Sequence, residues 1–201
     1  SFVSSAGGAE PVLVLGIDTA TSTASVGLAD GDRVIAERSL GMTRNHAVSL
    51  LPLIDATLHE GGVALLDLDA VAVSIGPGSF TGLRVGLSVA KGLVLVRGMA
   101  IAGVPTLEVL AQTAAADGGS VCAVLDARRG EVYTAAFCCR QGRVECLYKA
   151  AVVNLEDLAT RVPSPCRLVG DLVETHAAFL RERLGPDVDL IPGVSPSGAV
   201  V

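Results

Sequence analysis

The chain has 201 residues, half of them hydrophobic and 18% charged, with a formal net charge of −6. This composition supplies a buried core and excludes a disordered chain. The acidic balance argues against a surface that holds RNA unaided, because neutralisation of phosphates by Lys and Arg supplies much of such affinity.

Residues 1–11 are small and polar and predict a flexible N-terminal tail with no targeting segment. Val12–Asp18 is an apolar run ending in an acid, which predicts a buried strand and is too short to cross a bilayer. Ala24–Ala29 and Val34–Leu40 predict two more strands, joined by the turn Asp30-Gly31-Asp32. Residues 45–60 then change to helical spacing, with Ala47, Leu50, Leu51, Ile54 and Leu58 on one face and Gly61-Gly62 as the stop. Pro52 leaves the start open. With Ser49 as N-cap it falls in the first turn; with a start near Asn45 it lies inside the helix and kinks it.

Asp69–Ile75 is a Val-rich strand, followed by the loop Gly76-Pro77-Gly78-Ser79-Phe80-Thr81-Gly82 and an almost wholly apolar helix reaching residue 97. A helix that is apolar all round needs cover on both sides. Gly82, Gly86 and Ala90 recur every four residues and let another backbone approach, either a partner's or that of helix 45–60. Ala100–Val104 predicts a strand and Pro105–Ala116 a helix. After Asp117-Gly118-Gly119 the pattern restarts with strands Val121–Asp126, Glu131–Cys139 and Arg143–Tyr148. A short helix Leu155–Arg161, a strand Arg167–Gly170 and a helix Thr175–Arg183 follow. The order β-β-β-α-β-α thus occurs twice, which predicts an α/β chain with lobes at 12–104 and 105–191 and a loose C-terminal tail at 192–201.

Chemistry-bearing motifs are sparse. The loop Gly76–Gly82 precedes a helix N-terminus, where free amides attract anions. It is not a Walker A loop and misses the dinucleotide fingerprint by one residue, so a tight turn and a phosphate loop both remain open. Asp18-Thr19-Ala20-Thr21-Ser22-Thr23 sets an acid and hydroxyls in a turn that would suit phosphate and a water-bridged metal, or an ordinary hairpin. Asp126-Ala127-Arg128-Arg129-Gly130 occupies the matching place in the second half. The three His residues form no H-E-x-x-H pair, and the odd count of five Cys without C-x-x-C spacing predicts reduced thiols rather than a disulfide frame or a metal site.

The stretch Gly76-Pro77-Gly78-Ser79-Phe80-Thr81-Gly82-Leu83-Arg84-Val85-Gly86 resembles the signature of the TsaB (YeaZ) family. Leu15-Gly16-Ile17-Asp18-Thr19-Ala20-Thr21, Asn45-His46 through Leu51-Pro52-Leu53-Ile54, and Asp126-Ala127-Arg128-Arg129-Gly130-Glu131-Val132-Tyr133 extend the resemblance across residues 12–135. It implies the two-lobed actin-like ATPase fold of the sugar kinase/Hsp70/actin group, with mixed sheets flanked by helices. It also implies a role beside the catalytic paralogue TsaD and the ATPase TsaE in forming threonylcarbamoyladenosine next to the tRNA anticodon.

Thr106 and Leu110 stand where TsaD carries its metal-binding histidines, and Ala20 stands where related ATPases have glycine. These departures imply no metal, no catalytic residue and no cofactor in the isolated subunit, with ATP or ADP confined to a joint with partners. Asp18, Thr19, Thr21, Gly78, Ser79 and Asp126 would then be a vestigial phosphate loop. Helices 45–60 and 82–97 would carry the partner interface through Leu50, Leu51, Ile54, Gly82, Arg84, Gly86, Leu87, Ala90 and Lys91. The expected partners are TsaD, TsaE together with TsaD, a second copy when alone, and tRNA only indirectly, in the cytoplasm and away from membranes. An actin-like kinase or ATPase using Asp18, Thr19 and Asp126 is the alternative, and a metallopeptidase a more remote one.

Overall fold

β1 (Leu13–Asp18) alternates large and small side chains, so that Leu15 and Ile17 enter a core while Gly16 turns to the other face of the sheet. The computed structural model describes residues 12–41, 46–116 and 118–201, and in it β1 is the centre of a five-stranded sheet. β2 (Thr23–Asp30) pairs with it antiparallel and β4 (Ala70–Ser74) parallel, while β3 (Arg33–Gly41) and β5 (Ala100–Val104) form the edges. The second sheet repeats this arrangement. β6 (Ser120–Arg128) stands between antiparallel β7 (Glu131–Arg140) and parallel β9 (Cys166–Val169), with β8 (Arg143–Asn154) and β10 (Val188–Ile191) at the edges. β10 completes a second set of five strands. Its four residues, between Pro186 and Pro192, are too few to show periodicity.

α1 (His46–Gly61) and α2 (Phe80–Arg97) cover one face of the first sheet, where Leu15, Ile17, Val26, Leu50, Ile54 and Val71 share a core. Full burial of a side chain such as Leu50 is worth about 1.5–3 kcal/mol relative to leaving it in water. Because α1 begins at His46, Pro52 lies inside the helix, the second of its two expected placements; Asn45 falls outside the described residues, as does the expected tail at 1–11. α3 (Thr106–Thr113) seats Leu107, Leu110 and Ala111 on one face of the second sheet. A 3-10 segment at Leu155–Thr160, α4 (Asp171–Thr175) and α5 (Ala177–Leu184) cover the other. The helix expected over Thr175–Arg183 is α5, and the short α4 ahead of it, which the sequence did not suggest, meets it at His176.

Residues 192–201 depart from the loose tail expected of them. They leave β10 in the second lobe and return to the first, where the Gly198 N–H donates to the Ser25 hydroxyl at 2.9 Å. A Pro-Gly-rich composition reads as loose by itself, but Gly198 is small enough to lie against the backbone of β2.

Candidate functional site

The lobes face each other across a cleft of about 530 Å³. Ala20, Thr21, Ser22, Gly78, Ser79, Phe80 and Thr81 line it from the first lobe, and Leu125, Asp126, Ala127, Arg128, Tyr133 and Asp171 from the second. The residues expected to form a phosphate loop are thus divided by depth. Thr21, Gly78, Ser79 and Asp126 reach the cleft, whereas Asp18 and Thr19 are buried beneath it.

The two loops of the first lobe are bolted to each other. The Ser79 N–H donates to the Ala20 carbonyl at 2.7 Å, and the Thr19 hydroxyl donates to the Gly82 carbonyl at 2.8 Å. The Ser79 hydroxyl caps α2 by accepting from the Gly82 N–H, and the Ser79 carbonyl accepts from the Leu83 N–H. Gly78, at a φ of +154°, lies so close to Ala20 that a Cβ would come within 2.3 Å of the Ala20 carbonyl oxygen. Much of the amide array at this helix start is therefore engaged inside the chain.

Asp18 is fully buried. One carboxylate oxygen accepts from the Ala20 N–H at 3.1 Å and the other, Oδ2, has no partner. Desolvation pushes its pKa up to about 6, against smaller opposing effects from the nearby Ser74 hydroxyl and the Ala20 amide. Ser74 Oγ is itself without a bond of good geometry, so its effect on Asp18 is one of proximity. On the opposite wall, Asp126 accepts from the Arg128 N–H at 2.7 Å while its own N–H donates to Asp171 at 3.0 Å. Burial holds the Asp171 carboxyl above its ordinary range, and the neighbouring Asp126 charge adds to that. Asp171 was not singled out in the sequence; it follows Gly170 at the end of β9, the strand that stands beside β6 as β4 stands beside β1.

The helix surface expected to meet a partner is also divided. Leu50, Ile54, Gly82, Gly86 and Ala90 point into the first lobe and are buried, so they do not form an open partner surface. Within the stripe of small residues, Gly82 and Gly86 lie against Thr19 of the β1–β2 turn, while Ala90 joins the core that Leu50 and Ile54 of α1 share. Leu87 is half-buried, and Leu51, Arg84 and Lys91 are exposed. Phe80, Leu95 and Val96, not named among the interface candidates, are 67%, 84% and 65% exposed, and the Arg84 guanidinium sits 3.8 Å above the Phe80 ring. Thr106 and Leu110 are buried in α3. Among the described residues no three His, Cys, Asp or Glu side chains gather as metal ligands, and no helix is long and apolar enough to cross a membrane.

A family model described as TsaD, tRNA N6-adenosine threonylcarbamoyltransferase, matches residues 34–168. The chain is 32% identical over 175 residues to the tRNA threonylcarbamoyladenosine biosynthesis protein TsaB of Bacillus subtilis, covering 86% of this chain and 76% of that one. It is 42% identical over 126 residues to the Escherichia coli protein of the same name, covering 62% of this chain and 54% of the relative's length. The solved structure of YeaZ from Pseudomonas aeruginosa superposes with a TM-score of 0.79 at 31% identity, over 94% of this chain and 88% of that one. More distant structures, at 12% identity and TM-scores of 0.55–0.56, share the fold alone. The architecture is the two-lobed actin-like one, with mixed sheets flanked by helices.

Proposed function

Because the chain belongs to the TsaB family of tRNA threonylcarbamoyladenosine biosynthesis proteins, we propose that it serves N6-threonylcarbamoylation of the tRNA adenosine beside the anticodon as a non-catalytic scaffold. In this role it binds the transferase TsaD through the outward faces of α1 and α2, and TsaE joins the pair. The tRNA is held by the partners, since a chain with a net charge of −6 offers little attraction to phosphate. A lone copy covers the same surface by pairing with a second copy, an isologous contact that the partner displaces. The place of work is the cytoplasm, with its tRNA.

The observation that carries this reading is the exposure of Leu95 and Val96 side by side near the end of α2, with Leu51 exposed on α1. Apolar side chains grouped on an outward face mark interaction surfaces. The cleft supports the same reading from the other side. The loop amides at Ser79, Gly82 and Leu83 are engaged by the chain itself, and Asp126 and Asp171 oppose a polyphosphate. These residues do not fit the phosphates of a nucleotide in the isolated chain, and no catalytic step is assigned to it.

The test is reconstitution of the modification with purified TsaD, TsaE, ATP and a threonylcarbamoyl-adenylate source. Product should depend on adding this chain, and the chain alone should form none. Equal product yields with and without the chain would reject the proposal.

A further inference from the structure

The C-terminal residues 193–201 touch both lobes within nine positions. The Gly193 N–H donates to Glu174 of α4 at 3.0 Å, which anchors the segment to the second lobe. Val194, Ser195 and Pro196 then pass along a small cavity whose other walls include Thr21, Ser22 and Thr23, the turn that lines the cleft. Ser197 bonds twice, its N–H to the Thr113 hydroxyl of α3 at 3.3 Å and its own hydroxyl to Glu37 of β3. Glu37 also accepts from Ser25 of β2 at 3.0 Å, and Ser25 accepts from the Gly198 N–H, so a short polar chain ties β3, β2 and the segment together.

Gly198 closes the lock. A Cβ there would come within 2.5 Å of the Gly27 nitrogen, a Cβ on Gly27 within 2.1 Å of the Ala199 nitrogen, and a Cβ on Gly16 within 1.9 Å of the Gly198 carbonyl oxygen. Three glycines from three segments therefore meet backbone to backbone, a fit that a single methyl group at any of them would break. Among the described residues, the other covalent crossing between the lobes is the link from β5 to α3 at Pro105.

We infer that residues 193–201 are a strap that fixes the separation of the lobes, so that release of the strap from β2 and widening of the cleft at Thr21–Thr23 are one event. Two bodies joined by one covalent crossing can hinge about it; a second crossing seated on the first lobe removes that freedom until it unseats. Since Glu37 of the edge strand β3 and the buried Ser25 of β2 hold the seat, any binding event that distorts β2 or β3 acts on the cleft through the strap. This inference stands on the contacts of the strap and is independent of the partner assignment.

The experiment exploits the absence of Trp from the chain. Tyr133→Trp places one fluorophore at a half-buried position on the cleft wall, and quenching by acrylamide reads its accessibility while hydrogen exchange reads the strap. In that background Gly198→Val should unseat the strap: amides at 193–201 lose protection and quenching of Trp emission rises. Glu37→Gln keeps the shape and weakens the seat, so it should move both readouts the same way by less, and it remains informative if the valine variant does not fold. Loss of strap protection with unchanged quenching would overturn the coupling. Unchanged strap protection in Glu37→Gln would overturn the seat itself.

Discussion

Thr19 and Gly86 are in such close register that a Cβ on the glycine would stand 2.4 Å from the Thr19 hydroxyl oxygen, the same oxygen that donates its proton to the Gly82 carbonyl. The glycine stripe of α2 is thus a seat for the β1–β2 turn. Gly86→Ala gains about 1 kcal/mol of helix propensity. It loses more, because the methyl group must displace a bonded hydroxyl in a packed site, at about 1–3 kcal/mol for overpacking and a further ~1 kcal/mol for the hydrogen bond. The net expectation is a destabilised fold in urea titration. Thr19→Ala removes the obstructing oxygen, so the double variant should be more stable than the sum of the two singles predicts. Strict additivity would show that the two residues do not share this contact.

The two kinds of residue on α1 and α2 separate fold from partner binding. Leu95→Asp acts on a side chain that is 84% exposed and should leave stability within about 0.5 kcal/mol of the parent. It should weaken pairing with TsaD or with a second copy by tenfold or more, roughly 1.4 kcal/mol. Leu50→Ala, at a fully buried position, should instead cost about 2–5 kcal/mol of stability. Unfolding curves and light scattering on the same samples check both. A folded Leu95→Asp that pairs as well as the parent would remove α2 from the interface.

Asp18 makes stability depend on pH. Its folded pKa of about 6 lies above the ordinary 3.8, so the folded state holds a proton more tightly than the unfolded one. The protonated form therefore stabilises the fold fully below about pH 4, and this contribution is lost as pH rises toward and through 6. A shift of about two units corresponds to about 3 kcal/mol, an order-of-magnitude figure for so buried a group. Asp18→Asn carries no titrating proton there, and its stability relative to the parent should rise between pH 4 and 7. Parallel stability profiles for the two proteins would show that Asp18 is not the titrating group.

The strands were legible because buried parallel strands write themselves as short apolar runs, as in Val71–Val73 and Val121–Leu125. The duplicated order was legible for the same reason, and the family resemblance rested on a loop of unusual composition. The inward face of α2 was not. Periodicity marks which residues are small, not which neighbour they are small for, and the neighbour of Gly86 is a turn 67 positions earlier. The strap escaped for a related reason: Gly198 looks like punctuation until Gly16 and Gly27 are seen to leave it a place. Asp171 became visible only once β9 set it beside Asp126 on the cleft wall.

The closed state of the glycine loop bears on nucleotide binding. The Ser79 N–H is held by the Ala20 carbonyl, a backbone group that no side-chain change removes, and the lobe-two wall presents Asp126 and Asp171. Calorimetric titration of the chain alone with ATP and magnesium should give no saturable heat. Ala20→Gly should not restore binding, because it clears a methyl group but leaves the carbonyl bond and both carboxylates in place. If nucleotide belongs to a joint between subunits, heat should appear only after TsaD is added. Saturable binding by the isolated chain would reopen the kinase-like reading and make the loop a phosphate cradle after all.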